Sequence, residues 1–510
     1  MSDSDKNLNI LKDNATVLEA ISLVNQYGDS VDLSVIFDYM TLSESIHSPF
    51  CKGKIMIDDS INLLRSFRMT GQEFVNVQFK NSDDLSEALR NRGVDDKNNF
   101  CSKNFRVFKI VNTTRPQILT ETYEIHLCDP YMMEGLKKKI SKVFRGSYSE
   151  IAKKIFTKEL GVDEKNLGEF FKSDPENAQF ISPNWNVNSI IDFCTENADT
   201  AGDACAYHNS FFCFSTVAKG ELGGYRFQPL HNMISNRDSA VETPVFSYRH
   251  RGAEDINNMS YLNEKLGYAT RILNYKKPSS FNTLRGLMNG AYSSSVNTFD
   301  PISKISKNVE YSIVDNWNDE DSHVSPYPMI HEGDETIYRG KKIQNPNVPP
   351  EYDTEITSTG LSNSPSSLKK YDFTMPHAYT NKTSLSDNEN FVSYKNDVTE
   401  NHQLQRLAMM EQLQQNFITV EVTLRADVHV GQIIKLEIPP AEKNEEGTDQ
   451  LPTDRLNDKF YLITDAKFVI TGSETGSKLI LECVKESFAM KVSEYKPDLN
   501  KDEVELGGPR

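Results

Sequence analysis

The chain lacks any long run of apolar residues. No stretch approaches the roughly 18 consecutive apolar residues that a membrane-spanning helix requires. The first residues, MSDSDKNLNILKDN, also lack the basic start and apolar segment of a secretory leader. The sequence therefore predicts neither a membrane anchor nor a secretory signal.

Paired cysteines are missing as well. No two cysteines form a C-x-x-C pair, and all seven are scattered over the chain, at Cys51, Cys101, Cys128, Cys194, Cys205, Cys213 and Cys483. Reduced thiols of the cytosolic kind are therefore expected. Cys205 lies near His208, but the two further ligands of a zinc site are not found nearby, so no metal is predicted.

Basic residues are fewer than acidic residues. The 56 Lys and Arg stand against 73 Asp and Glu, which gives a formal net charge of −17. A surface that grips duplex DNA through its phosphates is therefore not expected. The 510 residues have a mean hydropathy of −0.54, yet 27 Phe and 21 Tyr supply the apolar area of a folded protein.

The motifs of nucleotide-binding and hydrolytic enzymes do not occur. There is no GxxxxGK[ST] phosphate loop and no G-x-S-x-G turn, and Gly223-Gly224 indicates a hairpin turn. Acidic clusters at 315–323 and 351–355 fall in a polar segment, where the burial that raises a carboxyl pKa is not expected. We therefore predict no catalytic, cofactor-binding or metal-binding residues, and no enzyme activity.

Residues 31–128 have the alternation of an antiparallel sheet or small barrel. In EFVNVQF, Val75, Val77 and Phe79 share one face, and Phe74, Asn76 and Gln78 share the other. A short helix with an acidic start, DDLSEALR, interrupts the strands at 83–90.

The middle of the chain changes to helical spacing. Met132, Leu136, Ile140 and Val143 predict one helix, and a capping box of Ser147 with Glu150 begins a second. A third follows in NWNVNSIIDFCTEN, with an apolar face of Val187, Ile190, Ile191 and Cys194, before the strand SFFCFSTV.

Residues 326–400 are rich in Pro, Ser and Asn, which favours loops or extended arms. After them, NHQLQRLAMMEQLQQN predicts a helix. A meander of four strands then follows in FITVEVTL, GQIIKLEIP, KFYLITDAKFVI and SKLILECVK, and an acidic tail ends the chain.

The predicted fold class is α+β and β-rich, with one antiparallel β block near each end of the chain. We predict a first barrel at 1–128, an α/β domain at 129–245 and a middle domain at 246–325. Polar arms at 326–400, a second barrel with a leading helix at 401–490 and the tail at 491–510 complete the division.

Taken in order, these segments resemble the baseplate central hub of T-even-type contractile-tailed phages. The resemblance runs from about residue 30 to 487. Its motifs are SESIHSPFCKGKIMIDD, GQEFVNVQF, KKKISKVFRGSYSEIAKKIFTKELGV, ISPNWNVNSIIDFCTENA, HNSFFCFSTVAKGELGGYRFQPL, NTLRGLMNGAYSSSVNTFD, RADVHVGQIIKLEIPP and KFYLITDAKFVI.

This resemblance implies a homotrimeric ring in which each subunit contributes two tube-type β-barrels, with α/β domains around them. Such a ring adapts a trimeric central spike to a hexameric tail tube. The expected partners are the spike protein, the tail tube initiator and other baseplate proteins. DNA would pass through the lumen without specific binding, in a virion tail assembled in the host cytoplasm.

Two other functions are open at this stage. A tail-associated cell-wall hydrolase needs a buried acid beside a second carboxylate or a metal, and the sequence indicates neither. A glycan-binding tail protein is favoured by the 21 Tyr, but the chain has no fibrous repeats.

Overall fold

The computed structural model describes residues 16–91, 99–117, 120–174, 176, 178–200, 210–235, 243–248, 267, 269–279, 282–300, 305–313, 327–328, 366–373, 402–414, 416–438, 459–472, 476–485 and 487–488. The two acidic clusters, the Cys205 and His208 pair and the tail at 491–510 lie outside these residues.

The front of the chain forms seven antiparallel strands, which neighbour one another in the order β2-β1-β5-β6-β7-β4-β3. They are β1 Thr16–Val24, β2 Ser30–Asp32, β3 Phe37–Ser45, β4 Lys52–Asp59, β5 Phe74–Asn81, β6 Phe100–Gln117 and β7 Thr120–Cys128. Helices α1 Leu63–Ser66 and α2 Asp83–Arg90 lie between them in sequence. The alternation predicted for β5 is confirmed, because Val75, Val77 and Phe79 are buried.

The connection between β2 and β3 closes this block into a first barrel. Leu33 N donates to Ile21 O of β1 at 2.9 Å, and Ile36 O accepts from Asp58 N of β4 at 2.8 Å. The connection therefore spans the gap between the two margins of the sheet.

An α/β unit follows. Its strands are β8 Lys139–Arg145, β9 Leu167–Phe170, β10 Ser173–Asp174, β11 Gln179–Asn186, β12 Asp199–Thr200, β13 Phe211–Thr216 and β14 Gly224–Pro229. Its helices are α3 Pro130–Lys137, α4 Tyr148–Lys154, α5 Val187–Asn197 and α6 Leu230–Ser235, with a π-helical turn at Ile155–Glu159 and a 3-10 turn at Glu164–Asn166.

Two of its three predicted helix patterns are confirmed in detail. Ser147 Oγ accepts from Glu150 N at 3.3 Å and caps α4, and the predicted apolar face of α5 is buried. The helix predicted over 132–143 is wrong in its second half, since α3 ends at Lys137 and Ile140 lies in β8, paired with β11. Side chains four apart, such as Ile140 and Phe144, share a face in a strand as well as in a helix, so spacing alone did not distinguish them.

The remaining strands are β15 Val245–Ser247, β16 Ile272–Ser279, β17 Ser293–Asp300, β18 Ile305–Ser312, β19 Tyr327–Pro328, β20 Ser366–Phe373, β21 Phe417–Thr423, β22 Ile433–Glu437, β23 Lys459–Thr471, β24 Lys478–Val484 and β25 Ser487–Phe488. Helices α7 Thr283–Asn289 and α8 Gln403–Leu413 accompany them. Strand β20, within the predicted polar arms, pairs in parallel with β17.

Six of these strands form a second barrel in the order β16-β21-β24-β23-β22-β15. Ser247 N donates to Thr270 O at 2.9 Å and Ser247 bridges to Arg271, so β15 returns to the start of β16 and closes the barrel. The four predicted C-terminal strands are present, but they are not a simple meander, because β21 pairs with β24 instead of β22. Strands β15 and β16 come from well before residue 401.

The two barrels share one sheet. The long strand β23 pairs with β22 from Lys459 to Leu462, and then with β3 of the first barrel, in a register that runs from Asp465 opposite Ser45 to Thr471 opposite Tyr39. The result is a sheet of 13 strands with a common apolar core. The β-rich α+β class is confirmed, and the structure adds that hydrogen bonds join the two barrels directly.

Candidate functional site at the barrel junction

The segment that joins β21 to β22 is inserted between the barrels. Residues 424–430, which include most of the RADVHVG motif, are all buried. Apolar residues alternate here with Arg425, Asp427 and His429. The segment is not a strand, because it turns at 426–427 and again at 430–431. Two of its charged side chains, Asp427 and His429, contact polar groups of the first barrel.

The first of these contacts involves Asp427. Arg425 donates to both oxygens of Asp427, from Nε at 3.1 Å and from Nη2 at 2.5 Å. Asn81 at the end of β5 donates to Asp427 Oδ1 at 3.0 Å, and its own Oδ1 accepts from Ala426 N at 2.7 Å. Burial alone would raise the pKa of Asp427, but the Arg425 charge and the hydrogen bonds outweigh burial, so this pKa lies below its usual value.

The second contact involves His429. Its Nδ1 lies 3.1 Å from Glu44 Oε1 of β3, and its Nε2 lies 2.9 Å from Ala426 O. Glu44 also accepts from Val217 N at 2.5 Å and from Val430 N at 3.3 Å. Glu44 thus ties the first barrel to the second barrel and to the loop after β13.

The surroundings of His429 favour the protonated form of its ring. Burial would lower its pKa, but the Glu44 carboxylate outweighs burial, and the pKa of His429 lies well above its usual value. The geometry agrees, because both ring nitrogens face acceptors and only the doubly protonated ring donates from both. The site therefore holds two buried ion pairs, of which His429 with Glu44 crosses the junction and Arg425 with Asp427 lies within the inserted segment.

A third polar cluster joins the first barrel to the α/β unit. Tyr225 donates to both oxygens of Asp129, at 2.8 and 2.7 Å, and Lys103 Nζ lies 3.1 Å from Asp129 Oδ2. Lys103 also donates to Ser215 Oγ at 3.1 Å and lies 3.5 Å from Cys51 Sγ. Asp129 in addition begins α3, since its Oδ1 accepts from the backbone N of residue 131 at 3.0 Å.

A cleft of about 690 Å³ opens beside this third cluster. Its walls mix Lys103, Lys165 and Lys219 with Asp129, Glu169 and Glu221, so charge alone selects neither anions nor cations. Burial raises the pKa of Cys51 to about 11 although Lys103 opposes the shift, so the thiol stays protonated at neutral pH and is no thiolate nucleophile.

The predicted hairpin is found between β13 and β14, but its turn runs from Gly220 to Gly223, and Gly224, with a φ of +83°, already begins β14. A Cβ at Gly224 would lie 2.5 Å from Asn166 O, so the position requires glycine. Within the residues that the structure describes, no cluster of His, Cys, Asp or Glu has the form of a metal site, and no helix is long and apolar enough to span a membrane.

Sequence reasoning did not find the junction residues. Glu44 and His429 are 385 positions apart, and each sits singly in a strand-like run. The available signal was the presence of Arg425, Asp427 and His429 at alternate positions of an otherwise apolar segment, which indicates charged groups that need buried partners.

Comparison with known proteins finds no matching family model and no matching curated protein. Among solved structures, the chain is similar to the 43 kDa tail protein of prophage MuSo2 from Shewanella oneidensis, with a TM-score of 0.45 and 9% identity over 92% of this chain and 98% of that one. It is also similar to a tail protein from Neisseria meningitidis MC58, with a TM-score of 0.44 and 9% identity over 92% and 96%.

A third likeness is to an Escherichia coli component of the type VI secretion system, which is itself described as structurally similar to T4 bacteriophage tail proteins. The TM-score is 0.38 with 8% identity, over 95% of this chain and 79% of that one. None of the three TM-scores reaches 0.5, and we assign no function to this chain from them.

Proposed function

We propose that this protein is the structural hub of a contractile-tail baseplate. Three copies form a ring that adapts a trimeric central spike to a hexameric tail tube. The inside of the ring forms part of the wall of the DNA conduit. The observation that carries this proposal is the pairing of β3 with β23, which fixes two closed barrels side by side in one chain.

The different symmetries of spike and tube explain why two barrels per chain would be needed. A three-fold spike and a six-fold tube mate only through a layer that offers three equal contacts on one side and six near-equal contacts on the other. Three chains with two barrels each supply six barrels. The proposal therefore needs two barrels per chain at a fixed angle, and it needs no catalytic group.

The buried polar junction suits that requirement. A sheet alone permits twisting about its hydrogen bonds, whereas the contacts of Asp427 with Asn81 and of His429 with Glu44 have satisfied geometry in one arrangement of the barrels only. Buried ion pairs are a weak source of net stability, and their best-attested use is to select one arrangement over others. Here they hold the second barrel in register with the first.

The acidic balance of the chain is compatible with a DNA conduit. With a formal net charge of −17, the ring as a whole does not attract a polyanion. In this proposal the spike binds one side of the ring, the tube initiator binds the other, and further baseplate proteins bind its outside. The ring belongs to the virion tail and is assembled in the host cytoplasm.

The experiment is native mass spectrometry of the purified protein, with and without its spike. The proposal expects three copies per particle, alone or upon addition of the spike, whereas a monomer under both conditions would contradict it. The two rival functions predict different readouts, namely a fall in peptidoglycan turbidity for a hydrolase and binding to a glycan array for a receptor-binding protein. The hub is expected to show neither.

A further inference from the structure

Positive and negative side chains are segregated along this chain. Residues 137–158 hold eight Lys and Arg and one acidic residue, although the whole chain is acidic. Residues 13–51 hold six acidic residues and no Lys or Arg. The first segment forms β8 and α4, and the second forms β1 to β3, so the two charges lie on different parts of the fold.

The basic segment surrounds an exposed apolar pair. Val143 of β8 and Ile181 of β11 lie opposite each other and are 46% and 67% exposed. Lys139 and Arg145 alternate onto the same face as Val143, are exposed, and form no ion pair within the described part of the chain. We call these four residues the basic ribbon face.

The acidic segment surrounds exposed apolar residues of its own. Tyr27 in the turn between β1 and β2 is 81% exposed, and Val35 after β2 is 87% exposed. Asp29 and Asp32 are exposed beside them, and their carboxylates accept from Asn25 Nδ2 and Ser34 N rather than from a cation. We call Tyr27, Asp29, Asp32 and Val35 the acidic edge, of which Tyr27 and Asp29 precede β2, Asp32 ends it and Val35 follows it.

We propose that the acidic edge of one copy binds the basic ribbon face of the next copy. This inference rests on the proposed ring and names the interface that closes it. In a cyclic trimer each contact joins a patch on one copy to a different patch on the next copy, so every chain must carry both patches. The two patches have opposite charge and each includes exposed apolar residues, and no described ion pair joins them within one chain.

The apolar and the charged residues contribute to such an interface in different ways. The apolar residues leave water on contact and supply the driving force, whereas the charges around them set partner and orientation. Exposed charges at a rim are screened by salt, with a Debye length of about 10 Å at 0.1 M. The trimer should therefore weaken as salt is raised.

The test is a charge exchange, followed by native mass spectrometry of the full chain. Lys139→Glu with Arg145→Glu gives one variant, and Asp29→Lys with Asp32→Lys gives a second. We expect each variant to lose the trimer at concentrations where the wild type is fully trimeric, because like charges then meet. The variant that combines all four changes restores opposite charges at every contact and should regain the trimer.

A mixture of the two charge-reversed variants gives a sharper result. Their contacts are favourable only between unlike copies, and a three-membered ring cannot alternate two species. We expect complexes only when both variants are present, because a ring of either variant alone has three repulsive contacts. The matched control is Lys153→Glu with Lys158→Glu, which changes charge equally on exposed positions of the same basic segment and should leave the trimer intact.

The outcomes separate the inference from the function on which it rests. Trimers formed by both charge-reversed variants, or a control that dissociates as they do, would overturn this interface while leaving the hub in place. A wild-type protein that is monomeric with and without its spike would contradict the hub itself. Thermal unfolding of each variant identifies any that fail to fold, and for those Val143→Ser with Ile181→Ser replaces the charge exchange.

Discussion

His429 Nδ1 lies 3.1 Å from Glu44 Oε1, across the junction of the two barrels and 385 positions away in the chain. Both side chains are fully buried. The pair brings the second barrel's inserted segment onto β3, the strand through which the barrels share their sheet. The arrangement of the barrels therefore depends on a few buried polar contacts as well as on β-pairing.

Replacement of His429 by Gln should destabilise the protein by about 3 to 5 kcal/mol, because Glu44 then keeps a buried negative charge without its ion-pair partner. Chemical denaturation of wild type and variant measures the difference. The variant His126→Gln, at a partly exposed position of β7, should change stability by less than about 0.5 kcal/mol. Equal losses for both histidines would contradict the role given to the junction.

The His429 ion pair should make stability depend on pH. Its pKa is raised in the folded protein, so its contribution is fully present below the unfolded value of about 6.5 and is lost as pH rises toward the folded value. The stability advantage of wild type over His429→Gln should shrink above pH 6.5, by at most about 1.4 kcal/mol per pH unit. An advantage that is constant from pH 6.5 to 9 would count against a charged His429.

Asn81 should also be sensitive, although it carries no charge. Asn81→Ala removes a donor to Asp427 and the acceptor of Ala426 N. Asp427 keeps its bonds from Arg425, whereas the buried Ala426 N is left unsatisfied, at a cost of about 1 to 3 kcal/mol. Asn76→Ala is the matched control, because Asn76 lies on the opposite face of the same strand and, among the described residues, its side chain bonds to exposed Asn104 alone. A comparison of thermal midpoints should find Asn76→Ala near wild type, and a similar fall in both would refute the assignment.

Tyr225 should control the attachment of the α/β unit to the first barrel. Tyr225→Phe removes the hydroxyl that donates to Asp129, with an expected loss of about 1 to 3 kcal/mol. Tyr131→Phe is the control, since the Tyr131 ring packs edge-on against Tyr225 and the structure shows no hydrogen bond of its hydroxyl within the described residues. Calorimetry measures the stability of both variants, and a Tyr225→Phe protein as stable as wild type would mean that the Tyr225 hydroxyl does not contribute to this attachment.

The cap of α4 offers a local test. Ser147→Ala should cost about 1 kcal/mol, because Glu150 N loses its acceptor. Ser141→Ala in the exposed part of β8 should have almost no effect in the same denaturation experiment. A Ser147→Ala protein as stable as wild type would show that this hydrogen bond contributes nothing to the helix start.

Local features of this fold could be predicted because neighbouring residues determine them. The buried face of α5, the cap at Ser147 and the alternation in β5 each depend on side chains within about ten positions of one another. The predicted helix over 132–143 failed at Ile140 because β11, some 40 residues later, supplies the hydrogen bonds of a strand.

The junction could not be predicted for the same reason on a larger scale. Nothing near Glu44 indicates His429, and nothing near Asn81 indicates Asp427, because the partners are brought together only when β3 pairs with β23. The closure of the second barrel by β15 and β16 likewise depends on strands that lie far from residues 401–490. The α/β unit and barrel boundaries along the chain stay predictions.

The most direct test of the central claim is electron microscopy of the purified particle viewed along its axis. Two rigidly joined barrels per chain predict a three-fold ring with six near-equal lobes of density around an open pore. Three lobes, or six lobes whose pairs vary in spacing from particle to particle, would contradict a fixed pair of barrels in each subunit.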